Sequence, residues 1–252
     1  MRLFRPFARS VDRSSRAQCP SLTKRQDGSS SLRRNIVAAF WVLAGSVFLP
    51  AGGTGPAAAD AGADAGPLIV AIGDSLTAGY GLEQGTGFVP QLQAWLADNG
   101  HPAASVVDMG VSGDTTAGGK ARLDWALADG ADAVMIALGG NDLLRGIPPA
   151  ESRANLDAML DGVGDRDLPA LLVGMEAPNN YGPDFKRDFD AMYPELAKTH
   201  DALLHPSFFA GIEADRALFQ SDGIHPNAEG VARMVEAIGP QVLLLIDRIG
   251  KD

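Results

Sequence analysis

The stretch Leu68-Ile69-Val70-Ala71-Ile72-Gly73-Asp74-Ser75-Leu76-Thr77 decides the fold class of this chain. Its first five residues are apolar and rich in β-branched types, which is typical of a buried strand in a parallel sheet. Gly73 and Asp74 then end the strand, and Ser75 follows. Because chemistry gathers at the carboxyl ends of strands in open α/β sheets, Ser75 is a candidate nucleophile. Ser and Asp are also preferred helix caps, so the stretch alone leaves a capping role for Ser75 open.

Apolar runs alternate with segments of helical periodicity along the rest of the chain. Further strands are predicted over 105–109, 133–138 and 169–175, with a weaker one over 202–204. Helices are predicted over 88–99, from Thr115 or Thr116 through Leu127, and over 149–163, 184–199 and 228–249. This alternation predicts a single domain over 68–252, a three-layer α/β/α sandwich. Its central parallel sheet is expected to have about five strands in flavodoxin-like order.

The first 59 residues differ from the rest of the chain. They carry nine Lys or Arg and two acidic residues, and an apolar run over 35–50 follows the basic region. Small residues come next, including Ala57-Ala58-Ala59 before Asp60. This order is typical of a secretory signal peptide. We therefore predict a leader over 1–59, a disordered lead-in over 60–67 and a periplasmic or secreted location, with an uncleaved N-terminal anchor as the alternative.

The predicted mature chain, 60–252, is strongly acidic. It carries 12 Lys or Arg and 29 Asp or Glu, which gives a formal net charge of −17. This charge argues against a nucleic-acid partner, whose phosphates require a basic surface. The single cysteine, Cys19, lies in the leader, so no disulfide or thiol chemistry is expected. Cys19 precedes the apolar run, which argues against a lipid anchor, and we expect no stable membrane anchor after leader removal.

A serine hydroxyl needs a base before it becomes a strong nucleophile. His225 in Asp222-Gly223-Ile224-His225-Pro226 is the best candidate among the histidines. Asp222, three positions earlier, can hold Nδ1 of the imidazole and leave Nε2 free for Ser75. A solvated loop histidine is the alternative interpretation of this motif alone. The other histidines lack this setting and are predicted to be structural or surface residues: His101, His200 and His205.

Acyl transfer also needs hydrogen-bond donors for the oxyanion of a tetrahedral intermediate. Gly113 can bring a backbone N–H close because it has no Cβ, and Asn141 can add a side-chain amide. The N–H of Ser75 is a third candidate donor. Each residue taken alone is an ordinary turn residue. Together they follow successive predicted strands of one sheet, which favours a shared site.

Four motifs resemble the four blocks of the SGNH (GDSL) hydrolase family, in the family's order. They are Gly73-Asp74-Ser75-Leu76, Gly110-Val111-Ser112-Gly113-Asp114-Thr115, Gly139-Gly140-Asn141-Asp142 and Asp222-Gly223-Ile224-His225-Pro226. The chain is most similar to the periplasmic multifunctional acyl-CoA thioesterase/arylesterase/lysophospholipase branch, and the similarity continues through 180–182 and 193–197. The resemblance implies a nucleophile at Ser75, its partners at Asp222 and His225, and oxyanion donors at Ser75, Gly113 and Asn141.

The function implied by the resemblance is a serine esterase that uses no cofactor. Its substrate would be a small acyl ester, a lysophospholipid or an acyl thioester. A carbohydrate or peptidoglycan O-acetylesterase is the alternative within the family, and a non-catalytic binding module is the alternative outside it. An α/β-hydrolase is disfavoured because Thr77 stands where Gly-x-Ser-x-Gly needs glycine. A dinucleotide-binding fold is disfavoured because its glycine fingerprint is absent from this sequence. A metal hydrolase is disfavoured because the histidines are not clustered.

Overall fold

A computed structural model describes residues 66–251. One parallel sheet in this range has the strand order β2-β1-β3-β4-β5. The strands are β1 Leu68–Gly73, β2 Ser105–Gly110, β3 Ala133–Ala137, β4 Ala170–Val173 and β5 Leu203–His205. This is the flavodoxin-like order, so the predicted fold class is confirmed. The predicted leader over 1–59 and positions 60–65 of the predicted lead-in lie outside the described residues.

The two central strands, β1 and β3, form the middle of the core. In the register of the sheet, Ile72 lies opposite Met109 of β2 and Ile136 of β3. Every residue of β3 is buried, as is every residue of β1 after Leu68. Burial on both faces explains why these strands are continuous apolar runs rather than alternating ones. In contrast, β2 lies at the edge of the sheet, and its residues are partly or fully exposed.

The helices form two layers, one on each face of the sheet. In one layer α1 packs against α7, and in the other α5 packs against both α2 and α6. Apolar side chains such as Leu92 of α1 and Val242 of α7 are completely buried. The bounds are α1 Phe88–Asp98, α2 Thr116–Ala121, α3 Leu123–Ala126, α4 Gly140–Leu144, α5 Pro149–Gly164, α6 Pro183–Thr199 and α7 Ala228–Arg248.

Two local predictions were wrong. The helix predicted from Thr115 through Leu127 is broken at Arg122, whose backbone leaves helical geometry between α2 and α3. The Arg122 side chain turns inward at this break, and Trp125 of α3 is 67% exposed. Asn141, expected in a turn, lies in the first turn of the short helix α4.

The carboxyl ends of β1, β2 and β3 meet at one edge of the sheet. The motifs that follow these strands, which begin at Gly73, Gly110 and Gly139, are therefore neighbours in space. Such an edge is where open α/β sheets bind ligands. No helix within 66–251 combines the length and the apolar character that crossing a membrane requires.

Candidate active site

Ser75 lies in a tight turn directly after β1. The turn is closed by backbone bonds from Ala78 N to Asp74 O and from Tyr80 N to Ser75 O, each 3.0 Å long. The capping bond in this turn belongs to Asp74, because its Oδ1 accepts from Leu76 N at 3.0 Å. A Cβ on Gly110 would lie only 2.4 Å from Ala78 N, so glycine there allows β2 to approach the turn. The Ser75 hydroxyl is free of a capping role.

The Ser75 hydroxyl instead meets His225. Ser75 Oγ lies 2.8 Å from His225 Nε2, although 150 positions separate the two residues. On the other side of the ring, His225 Nδ1 lies 2.7 Å from Asp222 Oδ2. Asp222 Oδ1 accepts from the backbone N–H groups of Ile224 and His225, at 2.9 and 3.0 Å, which fixes the carboxylate in its loop. The three predicted residues thus form one continuous hydrogen-bonded chain.

The ionisation state of Asp222 decides which nitrogen of the His225 imidazole donates a hydrogen bond and which accepts one. Hydrogen bonds from His225 and from the two backbone N–H groups lower the pKa of the Asp222 carboxyl to about 2. An ionised carboxylate can only accept, so Nδ1 of the imidazole carries a proton and donates it to Asp222. Nε2 then has a free lone pair and accepts from the Ser75 hydroxyl. The geometry therefore gives Ser75 a base that can take its proton.

The oxyanion donors predicted from the sequence face the same opening. Ser75, Gly113, Asn141 and His225 all line a pocket of about 380 Å³. Gly113 has a φ of +82°, a conformation that favours glycine. Most of the other lining side chains are apolar: Leu76, Leu143, Leu144, Met175, Phe209 and Ile224. Asp222 lies behind His225 and does not line the pocket. All five predicted site residues are therefore brought together.

Asp74 is a site residue that the sequence analysis missed. Its side chain is buried, and Oδ2 accepts from Asn141 Nδ2 at 3.1 Å. Burial raises the pKa of the Asp74 carboxyl, and the bonds from Leu76 N and Asn141 partly offset that effect. One N–H of the Asn141 amide is thereby fixed, which leaves the second N–H for a ligand. Asp74 thus links the end of β1 to the start of α4.

A second missed feature holds the loop that carries Gly113. Arg122 Nε bonds Asp114 Oδ2 at 2.7 Å, and Arg122 Nη2 donates to the carbonyl of Gly73 at 2.9 Å. One guanidinium therefore joins the loop after β2 to the residue that precedes Asp74 and Ser75. On the outer side of the loop, Arg145 Nη2 donates to the Gly113 carbonyl at 2.8 Å. These bonds hold Gly113 in register with Ser75.

Arg122→Met should lower kcat by about tenfold to a hundredfold while KM changes little, because small misplacement of donors slows chemistry. Arg122→Lys can keep one of the two bonds and should recover part of that loss. Steady-state kinetics with a short p-nitrophenyl ester measure both parameters. Arg166→Met, which removes an exposed ion pair with Asp124, is the matched control. An Arg122→Met enzyme with unchanged kcat would show that the loop keeps its position without Arg122.

The start of α4 is anchored by groups buried beneath it. Asp142 is fully buried and accepts from the backbone N–H and hydroxyl of Thr116 and from the hydroxyl of Ser152. Its neighbour Asn141 is therefore positioned by bonds to both α2 and α5. The Tyr193 hydroxyl also donates to the Leu138 carbonyl at 3.0 Å, just before α4 begins. These hydrogen bonds hold the start of α4, and with it Asn141, rigidly in place.

The remaining histidines lie apart from this site. His205 is buried at the end of β5, and burial lowers the pKa of its imidazole. His200 caps α6 and bonds Asp157 at 2.7 Å, and His101 lies in the turn before β2. A larger polar cavity of about 660 Å³ lies near the amino ends of β4 and β5, and no predicted site residue lines it. In residues 66–251 no cluster of His, Cys, Asp and Glu could hold a metal ion.

Comparison with known proteins places this geometry in a family. Residues 71–233 match the model of the GDSL-like lipase/acylhydrolase family. The chain belongs to this family. The matched range contains every predicted site residue and the whole sheet beyond the first residues of β1. The resemblance inferred from the four motifs is therefore confirmed.

Individual relatives of the family agree with this assignment. The chain is 38% identical to "Esterase TesA" of Pseudomonas aeruginosa over 72% of its own length and 90% of the relative's. It is 34% identical to "Thioesterase 1/protease 1/lysophospholipase L1" of Escherichia coli K12, over 73% and 88% of the two lengths. Among solved structures, the SGNH-hydrolase family esterase AlinE4 is 42% identical, with a TM-score of 0.61, over 71% and 96% of the two chains. The predicted enzyme class, a carboxylic ester hydrolase, is confirmed.

Proposed function

We propose that this protein is a serine esterase that cleaves acyl esters through a Ser75–His225–Asp222 triad and an acyl-enzyme intermediate. The observation that carries the proposal is the pair of bonds from Asp222 to His225 and from His225 to Ser75, at 2.7 and 2.8 Å. The second bond lies at the wall of a largely apolar pocket. A base held in one tautomer beside a hydroxyl is the arrangement that acyl transfer requires.

In the first half of the reaction, Ser75 Oγ attacks the ester carbonyl carbon while His225 Nε2 takes the hydroxyl proton. The oxyanion receives hydrogen bonds from the N–H groups of Ser75 and Gly113 and from Asn141 Nδ2. When the tetrahedral intermediate collapses, His225 returns the proton to the leaving alcohol, and Ser75 keeps the acyl group. Water then attacks the acyl-enzyme with His225 again as base, which releases the acid and restores Ser75.

The shape of the pocket favours acyl chains longer than acetyl. Its volume of about 380 Å³ and its apolar side chains offer little to hydrogen-bond a sugar. The esterase and thioesterase/lysophospholipase names of the relatives support the same range of substrates. An O-acetylesterase would prefer acetyl over all longer chains. A panel of p-nitrophenyl esters from acetyl to palmitoyl, with a lysophospholipid and an acyl-CoA beside it, distinguishes the two activities.

A reactive phosphonate tests the proposal directly. Ser75 Oγ should displace the leaving group of a fluorophosphonate and keep the phosphonyl group, because only an activated serine attacks such a reagent. Mass spectrometry of the peptide that contains Ser75 detects the adduct. The Ser75→Ala protein should remain unlabelled, whereas Ser112→Ala, a serine of the same pocket, should be labelled as fast as the parent. A parent protein that takes no label would favour the non-catalytic binding module.

The Asp222 carboxyl should stay ionised well below the usual pH range of an aspartate. Hydrogen bonds from His225 and from two backbone N–H groups lower the pKa of this carboxyl to about 2, so the carboxylate keeps its charge until the pH falls to that region. The carbon-13 chemical shift of the Asp222 carboxyl should therefore stay constant from about pH 8 to about pH 4, as measured by NMR, and change only as the pH approaches about 2. A carboxyl that titrates near the ordinary aspartate value of about 4 would contradict this prediction.

Neutral esters should be better substrates than acyl-CoA of the same chain length. Acyl-CoA is polyanionic, and the net charge of −17 over 60–252 slows its encounter with the protein. The difference in kcat/KM should narrow as ionic strength rises from about 0.01 to about 0.15 M, where the screening length falls from ~30 to ~8 Å. Steady-state kinetics with matched acyl chains measure this dependence. Equal efficiencies at both salt concentrations would contradict it.

We further propose a periplasmic or secreted location for the mature enzyme. The support is the order of the basic region, the apolar run over 35–50 and Ala57-Ala58-Ala59. The N-terminal sequence of the enzyme recovered from a periplasmic extract should begin near Asp60. Recovery of the full-length chain in the membrane fraction would favour the uncleaved anchor.

A further inference from the structure

Exposed apolar side chains are concentrated around the opening of the Ser75 pocket. Within residues 66–251, seven large apolar side chains are strongly exposed. Five of them lie at the carboxyl edge of the sheet, and we call these five the apolar rim: Tyr80, Val111, Leu144, Tyr181 and Ile224. The remaining two, Trp125 of α3 and Leu244 of α7, lie on other parts of the surface. Such a concentration indicates an interaction surface rather than scattered surface residues.

The residues of the apolar rim lie in the pocket wall or next to it. Tyr80, Leu144 and Ile224 line it directly. Val111 comes before Ser112 and Gly113, both of which line the pocket. Tyr181 lies beside Gly146, where its ring atom Cε1 would be 3.4 Å from an added Cβ, and it stacks on Phe185 with ring centroids 4.8 Å apart. Separate segments thus bring five apolar side chains to one opening.

We propose that the apolar rim docks on the surface of a zwitterionic lipid aggregate and delivers its acyl esters to Ser75. This proposal rests on the esterase function proposed above. A lipid surface explains the position of the rim, because apolar side chains that enter the headgroup–acyl boundary place the opening where lipid ester bonds lie. A protein or a second copy of the chain that covered the same rim would hinder the entry of substrate to Ser75.

The net charge of the protein indicates which kind of lipid surface the apolar rim can bind. The described residues carry 12 Lys or Arg and 26 Asp or Glu. Attraction to anionic lipids requires clusters of basic residues, and a strongly acidic protein is repelled by such surfaces. None of the five rim side chains is charged. Zwitterionic lipids such as phosphatidylcholine lack the net charge that would repel the protein, so apolar insertion can supply the affinity.

The experiment measures binding without turnover. The Ser75→Ala protein is sedimented with phosphatidylcholine vesicles, alone and combined with the double substitution Val111→Ser/Tyr181→Ser. These two rim residues do not line the pocket. Their replacement should weaken vesicle binding by about tenfold or more, because partial burial of two large apolar side chains is lost. Trp125→Ser/Leu244→Ser, which removes two apolar side chains elsewhere that are at least as exposed, is the matched control and should bind like the parent.

Two further measurements keep this proposal separate from the esterase proposal. In enzyme with Ser75 intact, Val111→Ser/Tyr181→Ser should hydrolyse a monomeric short ester at the parental rate, yet act more slowly on lysophosphatidylcholine micelles. If the protein with Ser75 intact bound vesicles but hydrolysed no ester, only the esterase proposal would be overturned. Equal loss of binding in the control pair, no binding by the parent, or tighter binding to phosphatidylglycerol vesicles would overturn the docking proposal. So would a dimer that the rim substitutions dissociate in sedimentation velocity.

Discussion

Ser75→Ala is expected to lower kcat for acyl ester hydrolysis by about a thousandfold or more, because no other group on the pocket wall receives activation from a base. In the structure, Ser75 Oγ is the atom that meets His225 Nε2, at 2.8 Å. His225→Ala should cause a loss of similar size, since the hydroxyl would keep its proton. Asp222→Asn should cause a smaller but still severe loss, because the imidazole remains but loses its preferred tautomer. Steady-state kinetics with p-nitrophenyl butyrate measure all three variants.

Ser112→Ala is the matched control for the Ser75 variant. Ser112 lines the same pocket, and no hydrogen bond joins its hydroxyl to a histidine within the described residues. Its replacement should therefore change kcat by no more than a few-fold. Circular dichroism and thermal unfolding should show that each variant keeps the fold of the parent. Near-normal turnover by His225→Ala would mean that another residue is the base.

The fold could be predicted from the sequence where the residues of a single strand are enough to identify it. β1 and β3 lie in the middle of the sheet and are buried on both faces, so each is a continuous apolar run in the sequence. The break between α2 and α3 could not be predicted in this way. It depends on the Arg122 side chain, which bonds the Gly73 carbonyl 49 positions away. Helical periodicity carries no information on such a bond.

The candidate site likewise has residues that the sequence predicts and one that it does not. Asp222 and His225 are three positions apart, so their pairing can be inferred from local spacing. Ser75, Gly113 and Asn141 follow successive strands, and the order of a parallel sheet brings them together. Asp74 was missed because its partner Asn141 is 67 positions away, and its burial is a property of the packed structure. The signal available in the sequence was an acidic residue beside the nucleophile, which is also an ordinary turn residue.

Asn141→Ala is expected to lower kcat by about a hundredfold while KM changes little, because an oxyanion bond matures only in the transition state. Asn141 Nδ2 has two N–H groups, and the bond to Asp74 Oδ2 occupies one of them. The second is left for a ligand, and Asn141 lines the same pocket as Ser75 and Gly113. Steady-state kinetics with a short neutral ester separate kcat from KM. A variant that raised KM alone would assign Asn141 to substrate binding.

Asp74 provides the control for this interpretation, because it is argued to act through Asn141. Asp74→Ala should lower kcat in the parent but have a much smaller effect in the Asn141→Ala background, so the two losses should not add. Any loss of kcat that Asp74→Ala still causes in the Asn141→Ala background is due to the other bond of Asp74. That bond runs from Leu76 N to Oδ1 and shapes the Ser75 turn. Fully additive losses would show that Asp74 acts on Ser75 alone. The double-mutant cycle thus tests whether the buried carboxylate after β1 positions the amide that begins α4.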